Sequence, residues 1–286
     1  MFWGFIMKKL LVLIFLSIPL ASFAQLSVSA IGGENGYTAL RGSFRYQAAD
    51  NLTIIPMYSY FRNSDREGEP SVSRFGLRAE YQPSKLGFGL EGGFVPRSNG
   101  YMNYSVAGDT TYFFIHDNHA ALSRLFAKIG TSYTRHEQRD GYFSVYDQTV
   151  PLYPYEMDET RVYCSIGATL KPFTLTTSFS KAVNFSEDPV PSVENAWTDI
   201  PFFIIIDRGF LDYFWSTQAV FSFFMFDLQG GYVYAKRKGA ADTFDSANAG
   251  ITLRISNVSV TGKMEMTDVS SSDHRLFYSL SAGLNF

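Results

Sequence analysis

The feature that most constrains this chain is strict apolar–polar alternation, repeated in many short segments. At the C-terminus Leu276, Tyr278, Leu280, Ala282, Leu284 and Phe286 share one parity; Arg275, Phe277, Ser279, Ser281, Gly283 and Asn285 share the other. Successive side chains of a strand point to opposite faces, so a period of two marks a strand with two chemically different surroundings. Val258, Val260, Gly262, Met264 and Met266 alternate with Ser259, Thr261, Lys263, Glu265 and Thr267. Phe75, Leu77, Ala79 and Tyr81 alternate in the same way with Arg74, Gly76, Arg78 and Glu80. One such strand fits a soluble sandwich as well as a membrane wall; many together, in one chain, restrict the choice.

The N-terminus reads as an export leader. Lys8 and Lys9 precede the apolar run Leu10 to Leu20, and Ala21-Ser22-Phe23-Ala24 puts small residues where a signal peptidase needs them. Residues 1–24 are expected to be a cleaved signal peptide and 25–286 one barrel domain. Met7 is a second candidate start. The run is about half the ~20 apolar residues that a membrane-crossing helix requires, and no later run is longer. Backbone polar groups in lipid are satisfied only by helices or by closed barrels. An exported chain with 27 Phe, 18 Tyr and period-2 segments therefore points to a transmembrane antiparallel β-barrel.

Turn residues divide the chain into about fourteen strands, near 26–32, 37–47, 52–62, 71–81, 86–95, 107–115, 120–134, 160–170, 173–184, 213–225, 227–235, 247–256, 258–268 and 274–286. Loss of the weakest hairpin would leave twelve. The breaks at 48–51, 82–85, 171–172 and 256–257 are short; those at 63–70, 96–106, 136–159, 186–212 and 236–246 are long and polar. Short turns at one end and long loops at the other are what an outer-membrane barrel shows, with both termini on the periplasmic side. Pro56 falls inside the third strand, where it removes a ladder donor, so an irregularity is expected there.

The leader, the alternating last strand and the terminal Phe286 resemble the general bacterial outer-membrane β-barrel class, porin-like in architecture. The leader and the aromatic content are similar to those of Bacteroidetes proteins. This resemblance implies that Phe286 closes the assembly signal read by the barrel assembly machinery, and that the partner along the wall is outer-membrane lipid. No particular family is reached.

Parity then assigns the charges. Arg41, Arg45, Arg74, Arg78, Arg124, Lys128, Arg161, Arg254, Lys263 and Arg275 are expected to face the lumen, with Glu80, Glu91 and Glu265. Removal of Lys8 and Lys9 takes the net charge from −3 to −5, so this inward basic excess runs against the chain as a whole. Two readings stand: the charges merely meet water or pair across the lumen, or they bias a diffusion channel toward small anionic solutes. Most acidic residues, Glu156, Asp158 and Glu159 among them, are expected in outer loops. Nothing in the charge pattern suggests nucleic acid.

The longest loop carries Phe202, Phe203, Ile204, Ile205 and Ile206, too apolar to stand uncovered in water. It either extends a strand and pairs with a neighbouring loop, folds into the mouth as a cap, or meets lipid or a partner. A closed barrel that binds a surface ligand, and an outer-membrane hydrolase, are the alternatives to a channel. For catalysis the candidates are thin: His274 beside Ser270, Ser271, Ser272 and Asp273 reads as a turn, and His116-Asp117-Asn118-His119 lacks a third metal ligand. The single cysteine, Cys164, has outward parity and no partner for a disulfide. No catalytic residue, metal or cofactor is implied.

Overall fold

A computed structural model describes residues 24–33, 36–63, 71–117, 119–145, 148–152, 154–186, 196–199, 204–207, 210–238, 243–269 and 275–286. The proposed leader, apart from Ala24, lies outside the described residues.

Fourteen strands close into one antiparallel barrel: β1 (Ala24–Gly33), β2 (Tyr37–Ala49), β3 (Leu52–Asn63), β4 (Val72–Tyr81), β5 (Leu86–Ser98), β6 (Tyr101–His116), β7 (Leu122–Gln138), β10 (Tyr155–Leu170), β11 (Phe173–Phe185), β14 (Leu211–Phe223), β15 (Phe226–Arg237), β16 (Thr243–Ile255), β17 (Val258–Thr267) and β18 (Arg275–Asn285). Two small hairpins stand apart from the wall, β8 (Gly141–Val145) with β9 (Gln148–Leu152), and β12 (Ala196–Asp199) with β13 (Ile204–Asp207). The ring is sealed where β1 runs against β18, from Gln25 opposite Asn285 to Gly33 opposite Phe277. Closure leaves no edge strand with unpaired backbone. The Phe286 amide adds a last bond to the Ala24 carbonyl at 2.9 Å.

The outer face is apolar. Leu77, Leu90, Ile129, Ile166, Leu175, Leu228 and Leu280 all point away from the lumen, and each is more than half exposed. A continuous apolar girdle of this kind is an aggregation hazard in water and the required surface in a bilayer. That settles which of the two surroundings of the alternating strands is which: lipid outside, a polar interior within. The termini and the short turns share one rim. There the backbone amides of Gln82, Phe113, Lys171, Ser222, Arg254 and Asn285 each donate across to the neighbouring turn at 2.7–2.9 Å, lacing the rim together.

The structure departs from the sequence expectation at the opposite rim. β6 begins at Tyr101 rather than near 107, β7 runs on to Gln138, and β10 starts at Tyr155. The long polar connection expected over 96–106 is a tight turn at Asn99-Gly100, whose φ angles of 46° and 83° are those an Asn-Gly hairpin turn needs. The expected loop 136–159 is mostly strand that rises above the girdle, tipped by β8–β9. Glu159 is correspondingly not in an outer loop: it is buried on β10. The irregularity expected at Pro56 is present, since the β2–β3 ladder skips from Ser43–Met57 to Tyr46–Ile54.

Candidate functional site: the lumen

Every inward position comes from alternate residues of the fourteen strands, so the lumen is built by parity. Two of its cavities are each walled by strands from one half of the ring. The first, of about 370 Å³, lies between β4–β7, β10, β11 and β14; the second, of about 440 Å³, lies between β1–β3 and β15–β18.

The first cavity is charged and tightly paired. Arg78 sits at its centre, 2.7 Å from Asp109, 2.9 Å from Glu80 and 3.7 Å from Glu91. Arg74 reaches Glu91 at 3.3 Å, and Lys128 reaches Asp109 at 3.6 Å. Tyr163 donates to Asp109 at 3.3 Å. The two long Arg side chains find room because glycines face them: a Cβ at Gly89 would fall 2.3 Å from Arg78 Nη2, and one at Gly93 2.7 Å from Arg74 Nη2. The glycine-rich run of β5 is thus the space in which this network lies.

Above it, toward the long loops, a second buried group closes one side of the mouth. His136 is almost fully buried. Its Nδ1 is 2.9 Å from the Tyr101 hydroxyl and its Nε2 is 3.2 Å from Glu159. Glu159 also pairs with Arg161, which donates to the Leu211 carbonyl at 2.7 Å and to Ser180 at 3.3 Å. Phe210, at the C-terminal root of the longest loop, meets the His136 ring edge-on at 4.9 Å and also packs on Tyr155 and Phe185. Further apolar residues line the same level: Ile31, Tyr37, Val72, Val95, Tyr101 and Phe277 on one side, and Leu211, Phe214, Val233 and Phe244 on another.

The second cavity differs in kind. Its lining contains Ser27, Ser29, Ser43, Ser59, Thr252, Thr261, Ser279 and Ser281, with the cations Arg41 and Lys263 and no carboxylate.

The basic residues picked out by parity therefore divide. Arg74, Arg78, Lys128 and Arg161 come together in the first cavity; Arg41 and Lys263 come together in the second. Arg45 pairs with Glu80 and Arg254 with Asp227, both at the rim of short turns. Arg124 lies 5.0 and 4.9 Å from the Phe113 and Phe126 ring centroids. Arg275 is exposed at the long-loop rim. Glu91 lines the first cavity, Glu80 lies beside Arg78, and Glu265 is buried on β17. Three acidic residues absent from the parity assignment also face inward, each against one of those bases: Asp109 against Arg78, Glu159 against Arg161 and Asp227 against Arg254. Asp109 lies within the expected strand 107–115, but the run Thr110 to Ile115 does not alternate apolar with polar, so parity does not mark its face.

Ile204, Ile205 and Ile206 lie on β13 and pair with β12 inside their own loop. Phe202 and Phe203 lie outside the described residues, as do Ser270 to His274. Asp117 accepts a hydrogen bond from the His119 amide at 2.8 Å in its turn. Cys164 is a free thiol, exposed on the outer face.

No family model matches this chain, and no curated protein matches it. Solved structures do. Omp33 of Acinetobacter baumannii superposes with a TM-score of 0.50 at 8% identity, covering 93% of this chain and 99% of that one. OmpT of Vibrio cholerae superposes with a TM-score of 0.50 at 9% identity, covering 92% and 96%. At such identity the likeness is one of fold. Together with the closed fourteen-stranded wall and its apolar girdle, it places the chain among outer-membrane β-barrels of porin or channel architecture. Such a barrel needs outer-membrane lipid around it and the barrel assembly machinery to insert it.

Proposed function

We propose that this barrel is a diffusion channel for small polar solutes, with a preference for anions. The observation that carries the reading is the lumen: polar and charged side chains from thirteen of the fourteen strands line two cavities. A polar interior lowers the cost of moving a hydrated solute through the wall. The preference for anions rests on the second cavity, where two lining cations, Arg41 and Lys263, share one adjacent carboxylate, Glu265; the first cavity is nearly balanced. Conductance and reversal potential in planar bilayers under a salt gradient test both parts. An anion-selective potential is expected. A cation-selective one overturns the preference, and folded protein that does not conduct overturns the channel.

A second reading, a closed barrel whose loops bind a surface ligand, is favoured by one observation: Phe210 packs into the mouth against His136 and Tyr155. Deleting 196–210 separates the two, since a cap over a channel gives higher single-channel conductance on removal. A hydrolase has less support. Both ring nitrogens of His136 are engaged, by Tyr101 and Glu159, so neither is turned toward a serine.

A further inference from the structure

The second cavity is chemically unlike the first, and this difference points to a ligand. Serine and threonine hydroxyls rotate, and each both donates and accepts. A wall of them adapts to another hydroxylated molecule better than to a bare ion or an apolar one. Here eight hydroxyls converge from β1, β2, β3, β16, β17 and β18. Some are already cross-strand partners: Thr252 and Thr261 lie 2.7 Å apart.

Two cations are set into that wall, Arg41 on β2 and Lys263 on β17, on either side of the β1–β18 seam. The nearest acid along the strand is Glu265, two residues beyond Lys263 and one inward step nearer the long loops. It is buried and accepts a hydrogen bond from Ser246. One carboxylate beside two cations leaves the cavity net positive. Ile31 and Met57 add apolar surface to the lining, and Gln229 adds an amide. The size lies within the ~300–1,000 Å³ of small-molecule sites.

We propose that this half of the lumen is a solute subsite for small polyhydroxylated monoanions, with Arg41 and Lys263 holding the anionic group and the serine and threonine wall holding the hydroxyls. The proposal rests on the channel reading above and adds the solute class. A simple carboxylate fills the cation positions and leaves the hydroxyl wall in water. A neutral sugar does the reverse. A sugar acid satisfies both.

The test uses the folded full barrel in detergent micelles, with sodium gluconate, sodium acetate and glucose as probes in isothermal titration calorimetry. Gluconate is expected to bind at least about tenfold more tightly than either, the scale of one charge-assisted hydrogen bond. R41Q and K263Q are each expected to weaken gluconate by about tenfold, and K263R to retain it. R135Q, on the outer face of β7, is expected to change nothing. Heat-modifiable gel migration shows that each variant is folded. Gluconate binding no tighter than glucose, or unchanged in folded R41Q and K263Q, overturns the subsite. Bilayer conductance on the same preparations keeps the two readings apart. Conductance without selective binding sinks the subsite alone; selective binding without conductance sinks the channel alone.

Discussion

The ring of Tyr163 on β10 lies over its cross-strand partner Gly130 on β7, so closely that a Cβ at Gly130 would fall 2.3 Å from Tyr163 Cζ. The same arrangement recurs lower on the same strand pair, where Phe126 covers Gly167 and the corresponding distance is 2.3 Å. Inward glycines here are floors on which long side chains lie flat, a known device for packing aromatic rings in curved sheets. Outward glycines are different: nothing lies within 4 Å of a Cβ at Gly92.

G130A is therefore expected to destabilise the barrel, and G92A is not. The added methyl must push the Tyr163 ring off its seat and away from Asp109, an overpacking cost of about 1–3 kcal/mol. The temperature at which the compact band is lost on a semi-native gel checks this. Equal loss in both variants would mean that glycine content itself, not the ring above it, sets the stability.

Phe210 is expected to anchor the root of the longest loop. It is 1% exposed and touches His136, Tyr155 and Phe185, while its carbonyl accepts from the Lys238 amide at 2.7 Å. F210A removes the ring and leaves the backbone bond, at a cost of about 3–5 kcal/mol for a fully buried phenylalanine. Because the ring serves the loop rather than the wall, the expected result is faster proteolysis within 186–212 with barrel migration unchanged. Loss of the barrel band would show that the cluster holds the wall instead.

Much of this was legible in the sequence, and the reason is parity. A side-chain period of two fixes which face a residue takes once the strand is recognised. Arg74, Arg78 and Lys128 line the first cavity and Lys263 the second. What parity does not carry is where a strand begins when its outer half rises above the lipid. Tyr101 to Ser105 and Arg135 to Gln138 stand in that region, where no apolar outward face is required, so they read as loop. His136 and Glu159 escape the parity reading for that reason. The division of the lumen into paired and hydroxyl-lined halves was also out of reach. It depends on which strands become neighbours on closure, and the contact between β1 and β18 spans the whole chain.

Phe224 is expected to be a point of backbone strain. It occupies the β14–β15 turn with a φ of 49°, in the left-handed region, and it is 87% exposed at the short-turn rim. A left-handed conformation costs an ordinary residue about 1–2 kcal/mol, and asparagine pays least after glycine. The exposed ring beside Phe223, Met225 and Phe226 suits the lipid interface, where aromatic girdles sit. F224A loses the ring and keeps the strain; F224N loses the ring and relieves it. F224N is thus expected to melt higher than F224A by a few degrees in the same micelles. Identical melting would remove the strain argument.

Asp109 and Arg78 pair at the centre of the first cavity, and opposite substitutions there should move ion selectivity in opposite directions. Asp109 is nearly buried, 4% exposed in its side chain, and faces both Arg78 at 2.7 Å and Lys128 at 3.6 Å. D109N removes the carboxylate that balances them. Anion preference is expected to rise, with a reversal potential displaced further toward the chloride value under a salt gradient. R78Q leaves Asp109, Glu80 and Glu91 with less compensation, and preference is expected to fall. The effect should shrink as ionic strength rises, because the Debye length drops from about 10 Å at 0.1 M to about 3 Å at 1 M. Stability should fall in both variants, since each removes the shortest ion pair of a buried or half-buried charge. Selectivity separates the arguments. A merely structural pair would lower stability in both variants with the reversal potential unmoved. Displacement in the same direction for both would show that the shape of the lumen, and not the charge of this pair, sets the potential.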